Sequence, residues 1–370
     1  MTDDRRMMIE VQDLAVRYGE VQAVDGVSFA VARGELLTLL GPSGCGKTTT
    51  LRAIAGLEQP SGGSIVIDGG TVYSAPGYSP EGRRNLATEK RGVSMVFQSY
   101  AIWPHMNVFE NVAYGLRVRK LPRAEIEQQV GRALALVQMT AYANRPASRL
   151  SGGQQQRVAV ARAIAFSPNV VLFDEPLSNL DAKLRAEMRV ELRELQHRLS
   201  FTSVYVTHDQ EEALAISDRV IVMNGGRIEQ IGTPTDIYDR PRNRFVADFV
   251  GSANLISGKV RPGSAANGTA VFETAEGLAL HISTNGGLRG DEDTAALRAS
   301  YIHLGAAGTG APNATRGRIQ RRLFHGDFIE YVVTWPAGQL IVRRPPTEIL
   351  AEDDEVAIWF APEHCVLLQG

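Results

Sequence analysis

Three short runs of the chain are apolar at nearly every position: "ELLTLLG" (35–41), "VVLFDEP" (170–176) and "SVYVTHD" (203–209). A strand with one wet face alternates polar and apolar residues, whereas a strand covered on both faces does not. These runs therefore predict central strands of a buried sheet. "IEVQDLAVRY" and "VDGVSFAV" predict antiparallel strands, and "GSIVIDG" and "GVSMVFQ" two more. Helical spacing appears in "KTTTLRAIAGL", and from Val108 to Met139 with Pro122 as a break. It returns in "RLSGGQQQRVAVARA" (149–163) and in the charge-laced "DAKLRAEMRVELRELQHRL" (181–199). Capping boxes are predicted at Ser151 with Gln154 and at Asp209 with Glu212. "DRVIVMNGGRIEQIG" reads as a hairpin on its Gly-Gly pair. Residues 69–91, rich in Gly, Pro, Ser and charge, read as an exposed loop.

After "GTPTDIYDRPRN" the texture changes. "GTAVFE", "LALHI", "GRIQRRLF", "FIEYVVTW", "QLIVRRP" and "EVAIWF" are short alternating segments punctuated by Gly, Pro and Asn. That pattern suits a small β barrel or sandwich. The expected organisation is an α/β domain over 1–240, with a helical part at about 100–165, and an all-β domain over 241–370. No internal repeat is visible.

Composition narrows the function classes. The chain has 370 residues and a net charge of −2, which argues against nucleic-acid binding by bulk charge. Cys45 and Cys365 are the only cysteines, so there is neither a disulfide framework nor a metal-ligand spacing. The N-terminus lacks the apolar core of a signal peptide, and no run approaches the roughly 18 apolar residues of a spanning helix. Any membrane role must come through a partner.

The densest chemical signal is "GPSGCGKTT": Gly41, Pro42, Ser43, Gly44, Cys45, Gly46, Lys47, Thr48 and Thr49. Its G-x-x-x-x-G-K-[ST] core, between a buried strand and a helix, is a Walker A phosphate loop. Glycines let backbone N–H groups converge on phosphate oxygens. Lys47 would reach the β- and γ-phosphates, and the Thr48 hydroxyl would bind Mg²⁺. Lysine is scarce elsewhere: five (47, 90, 120, 183 and 259) against 34 arginines. At the end of "VVLFDEP", Asp174 would hold the metal and Glu175 would polarise or position the attacking water. Gln98 and His208 end two other strands, where an amide and an imidazole can reach metal, water or γ-phosphate. Tyr18 offers a ring for adenine. Ser151, Gly152, Gly153 and Gln154 open a helix, a second place where an anion can be held. Each of these residues also has an ordinary structural explanation taken singly.

In chain order, Tyr18, "GPSGCGKT", Gln98, "LSGGQQQR", "VVLFDEP", "SNLD" and His208 resemble the nucleotide-binding subunit of an ABC transporter over residues 7–235. The resemblance implies a P-loop NTPase fold with a helical subdomain, and ATP and Mg²⁺ as cofactors. It implies catalytic roles for Glu175, His208 and Gln98, with Thr48, Gln98 and Asp174 on the metal. It also implies a homodimer in which the signature of one subunit caps the γ-phosphate held by the other, with Asp181 at the interface. Residues 245–370 resemble the oligonucleotide-fold-like C-terminal domain of maltose, polyamine, sulfate and ferric-iron importer ATPases. The implied partners are integral-membrane permease subunits and, indirectly, a solute-binding protein, with no nucleic acid. The implied location is peripheral, on the cytoplasmic face of the cell membrane. The apolar set Ile102, Trp103, Pro104, Met106 and Phe109 falls where that family receives its permease. The transported solute expected is ferric iron or a polyamine; sugar, glycerol-phosphate, sulfate or phosphonate is the alternative. A chromosome-maintenance or repair ATPase would need a long coiled coil between residues 49 and 149, and no sustained heptads occur there.

Overall fold

The structure is a computed structural model that describes residues 6–78, 82–266, 268–284, 294–305, 312–347 and 349–368. The extreme N-terminus, where a signal peptide was not expected, lies partly outside the described residues. The chain divides into two compact units, residues 1–234 and 235–370.

The first unit contains β1 (Met7–Tyr18), β2 (Val21–Ala32), β3 (Leu36–Leu40), α1 (Lys47–Ala55), β4 (Gly62–Ile67), β5 (Gly70–Ser74), β6 (Arg84–Asn85) and β7 (Val93–Val96). It continues with α2 (Val108–Val118), α3 (Arg123–Leu136), α4 (Gly152–Ile164), β8 (Val170–Asp174), α5 (Ala182–Leu199), β9 (Thr202–Thr207), α6 (Gln210–Ile216), β10 (Arg219–Asn224) and β11 (Arg227–Gly232). The central sheet runs β11-β10-β3-β9-β8-β7, parallel throughout except at the β11 edge. Its inner strands β3, β9 and β8 are buried at every position because both faces are covered. Leu36, Val171, Phe173 and Tyr205 face a core shared with α2–α5, while Leu37, Leu39, Val170, Leu172, Val204 and Val206 face a core shared with the antiparallel sheet β2-β1-β4-β5-β6.

Two local expectations need correction. Residues 69–91 are not one exposed loop. Gly70–Ser74 pairs with β4 through a two-residue turn at Asp68 and Gly69, both at positive φ (49° and 75°). That is the hairpin turn whose twist matches paired strands, and it buries Val72, Tyr73 and Ser74. The capping box at α6 is only half formed. Asp209 accepts from the Glu211 and Glu212 amides, but the Glu212 carboxylate turns inward to accept from the Tyr205 and Thr207 hydroxyls at 3.0 and 2.8 Å. Burial raises the Glu212 pKa, while the two hydroxyls act against that shift. The box at α4 is complete, with Ser151 and Gln154 exchanging hydrogen bonds of 3.1 and 3.4 Å.

In the second unit α7 (Pro234–Asp239) and α8 (Arg244–Phe249) precede β12 (Ala253–Val260), β13 (Thr269–Thr274), β14 (Ala279–Ser283), β15 (Thr294–Arg298), β16 (His303–Gly305), β17 (Thr315–Phe324), β18 (Ile329–Trp335), β19 (Gly338–Arg344), β20 (Glu355–Trp359) and β21 (Cys365–Leu367). Five of these close a barrel in the order β12-β13-β14-β21-β15, and the others form a sheet, β16-β20-β17-β18-β19. One core, including Phe272, Tyr331, Trp335 and Phe360, serves both. A closed five-stranded barrel agrees with the oligonucleotide-fold-like expectation.

Candidate functional site

The six residues between β3 and α1 form a turn that side chains would obstruct. A Cβ on Gly41 would lie 2.3 Å from the Met223 carbonyl oxygen and 2.6 Å from the Cys45 sulfur. One on Gly46, at φ 98°, would lie 2.5 Å from the Ala23 carbonyl oxygen. Gly44 has open space around it and is held to glycine by its φ of 82°. No side chain caps the start of α1, which leaves the amides of its first turn without a side-chain acceptor, as an anion-holding helix start requires. Lys47 is 4% exposed and curls over the loop, its Nζ donating to the Gly41 and Pro42 carbonyls at 2.7 and 2.9 Å. Burial pushes the Cys45 thiol pKa up, against the pull of Lys47, which keeps it a neutral packing group.

Parallel neighbours present their C-terminal ends on one edge of a sheet. The segments following β3, β9, β8 and β7 therefore emerge together. Thr48, one residue into α1, donates its hydroxyl to Asp174 Oδ1 at 2.9 Å, and Arg52 reaches Asp174 Oδ2 at 3.3 Å. Asp174 is buried. Beside it, Glu175 adopts a left-handed φ of 44°, an uncommon conformation for a residue with a side chain. Its Oε2 lies 3.2 Å from His208 Nδ1 and accepts from Gln98 Nε2 at 3.3 Å. The structure thus brings Lys47, Thr48, Asp174, Glu175, Gln98 and His208 to one edge. The oxygens of Thr48 and Asp174 also suit a hard divalent cation. Mg²⁺ keeps most of its waters and takes one or two protein oxygens, with adjacent ligands about 2.9 Å apart at ~2.1 Å bond lengths. Among the described residues no cluster of three or more His, Cys, Asp or Glu competes for a metal.

Tyr18 is half exposed, beside Thr49, Arg52 and Glu58. Its pKa is raised by burial and by a hydrogen bond to Glu58. The helix α4 that carries Ser151, Gly152, Gly153 and Gln154 packs on α2, α3 and the edge strand β7. Strand β7 is three positions from β3, roughly 14 Å at ordinary strand spacing. Asp181 caps α5, accepting from the Leu184 amide at 3.0 Å. Gly153 has a packing reason of its own, because a Cβ there would lie 2.7 Å from a Leu184 methyl. Three participants were missing from the sequence reading. Arg52 pairs with Asp174, Ser178 accepts from Gln98 Nε2 at 3.4 Å, and Asn179 donates to the Gln98 carbonyl at 2.8 Å. Ser178 and Asn179 open the "SNLD" stretch, of which only Asp181 had been singled out.

The ABC transporter family matches residues 24–178, and the TOBE domain family matches residues 295–368. The spermidine/putrescine import ATP-binding protein PotA of Rubrobacter xylanophilus is 42% identical, covering all of this chain and 95% of that one. The Fe(3+) ions import ATP-binding protein FbpC 1 of Rhizobium meliloti is 44% identical, covering 97% of each. Among solved structures, cbiO1 from Clostridium perfringens, described as part of the ABC transporter complex cbiONQ, superposes with a TM-score of 0.55. It is 30% identical and covers 62% of this chain and 90% of that one. Phosphate loop, acidic strand end and signature turn on this fold define an ABC-type ATPase, and the chain belongs to the ABC transporter family. Within it, this is an importer-type ATP-binding subunit carrying a C-terminal TOBE domain.

Proposed function

We propose that two copies of this subunit pair head to tail and hydrolyse two ATP molecules at sites that each copy only half supplies. The convergence of Thr48, Asp174, Glu175, Gln98 and His208 at one sheet edge carries this reading. The loop 41–49 cradles the phosphates, Lys47 leaves the carbonyls of Gly41 and Pro42 for the β- and γ-phosphates, and Tyr18 stacks on adenine. Thr48, Asp174 and the Gln98 amide hold Mg²⁺, which when bound neutralises charge on the phosphate oxygens. Glu175 accepts a proton from, or orients, the attacking water, and His208 fixes the Glu175 carboxylate and the γ-phosphate. Ser151, Gly152 and Gly153 of the partner subunit complete the γ-phosphate shell, with Gln154 behind them and Asp181 near the two-fold axis. The capped, outlying position of α4 supports this division, since a turn so far from its own phosphate loop is useful only to another copy.

The paired subunits couple closure to solute uptake through an integral-membrane permease, fed by a solute-binding protein, from the cytoplasmic face. No described helix is long and apolar enough to cross a membrane. The permease would meet the segment around Trp103, Pro104 and Met106. Tyr114, 41% exposed and ring to ring with Trp103 at 4.3 Å, extends that surface, whereas Ile102 and Phe109 pack into the helical core. A polyamine or ferric iron is the solute that the relatives favour. The test is a reconstitution of the chain with its permease and binding protein in vesicles. ATP-dependent uptake of labelled spermidine or iron supports the reading. ATP turnover that neither loaded binding protein stimulates would contradict the solute, and an absence of Mg²⁺-dependent turnover would contradict the whole reading.

A further inference from the structure

The segment that follows Gln98 runs from the catalytic edge to the helical elements in a conformation that the backbone resists. Tyr100 and Ala101 have φ of 61° and 47°, and two consecutive side-chain-bearing residues in the left-handed region are uncommon. Three elements hold the segment down. Asn179 donates to the Gln98 carbonyl at 2.8 Å. From α2, Asn111 accepts from the Trp103 amide at 2.9 Å and donates back to the Trp103 carbonyl at 3.1 Å. Between them, Arg162 from the signature helix α4 sends Nη2 to the Tyr100 carbonyl at 2.7 Å and Nη1 to the Ala101 carbonyl at 2.5 Å. The same guanidinium lies over the Trp103 ring, 4.8 Å from its centre.

Arg162 is an unusual choice for a purely structural tie. Among the described residues no carboxylate pairs with it, and burial alone pulls its pKa down to about 10. Even a half-buried guanidinium without a counter-ion is costly. What it supplies is a planar fork that matches two adjacent carbonyls, which a lysine's point charge cannot match at both. The fork is also the link by which the Gln98 segment and the signature helix are joined side chain to backbone.

We propose that Arg162 is a positioning residue that locks the signature helix to the Gln98 segment, so that a change at Gln98 and Glu175 reorients the Ser151–Gly153 turn offered to the second copy. This rests on the paired-site reading. It assigns Arg162 no contact with nucleotide. Loss of the fork leaves each half-site intact but no longer in step with the other.

The experiment uses the full chain with Arg162→Lys, Gln98→Ala and the double variant. Measured are affinity for Mg²⁺-ATP, kcat, KM and thermal midpoint. Arg162→Lys should bind ATP within twofold of the unaltered protein and melt within a few degrees of it, with kcat reduced about tenfold and KM little changed. The double variant should be no slower than Gln98→Ala alone, because both changes cut one link. Losses that multiply, or an unaltered kcat in Arg162→Lys, overturn the proposal. If the lysine variant fails to fold, hydrogen exchange on the unaltered chain decides. Residues 98–106 and the start of α4 should gain protection together on ATP binding, and protection of one without the other overturns the link. A turnover per subunit that is independent of protein concentration in the unaltered chain would instead remove the paired site on which the proposal stands.

Discussion

Two turns of this chain, Gly41–Gly46 and Ser151–Gly153, both use glycine at a helix start, and they are built in opposite ways. The first is uncapped, its glycines forced by backbone atoms at 2.3 and 2.5 Å, and it opens toward Thr48 and Asp174. The second is closed on itself by a complete capping box, and its glycines meet only the ends of leucine side chains, Leu180 at 3.5 Å and Leu184 at 2.7 Å. The first thus leaves its helix start free of any side-chain cap. The second has satisfied its own helix start, with Ser151 and Gly152 exposed and Gly153 buried against Leu184. Similar composition thus marks two differently built helix starts, and on the proposed function the first is a phosphate cradle and the second one half of a shared site.

The comparison can be broken in several ways, the largest effect first. Glu175→Gln should lower turnover by about 10²–10⁴-fold, the usual contribution of a positioned base, while ATP affinity measured by calorimetry stays within about twofold. Retained turnover would take the catalytic role away from the phosphate-loop edge. An equimolar mixture of Gly153→Asp and Lys47→Ala chains, each inactive alone, should recover up to about a quarter of the unaltered activity. Half the pairs are mixed and each mixed pair keeps one whole site. A mixture as dead as its components would mean that both turns serve the same chain. Gly41→Ala should destabilise the first unit by about 1–3 kcal/mol in denaturant melts, the range for forced overpacking. Gly152→Ala should do the reverse, stabilising by about 0.5 kcal/mol through helix propensity while turnover falls, because its methyl crowds only the partner. A Gly152→Ala chain with unaltered turnover would make that glycine structural.

The site's skeleton was legible because it is written locally. The apolar runs ending at Leu40, Asp174 and Thr207 mark strands covered on both faces, and parallel neighbours bring their ends together whatever the loops do. Lys47, Thr48, Asp174, Glu175 and His208 follow from those ends, and Gln98 from the end of the neighbouring edge strand β7. The hairpin at Asp68–Gly69 was equally local. It was lost because the following residues, 75–91, are so polar that a five-residue strand vanished in their average. Arg162, Asn111 and Asn179 were not legible. An arginine or asparagine on a helix or turn looks solvated, and only the path of the Gln98 segment gives it backbone partners, with Asn111 buried, Arg162 half-buried and Asn179 still exposed. Glu212 shows the same limit in reverse, since its spacing promised a cap and the hydroxyls of Tyr205 and Thr207 drew it inside.

The most direct test of the paired site is phosphate release per subunit, followed across protein concentrations that sedimentation shows to span single and paired chains. Turnover per subunit should climb with concentration and level off only once pairing is complete. A constant turnover, maintained at dilutions where every chain is alone, would contradict the account.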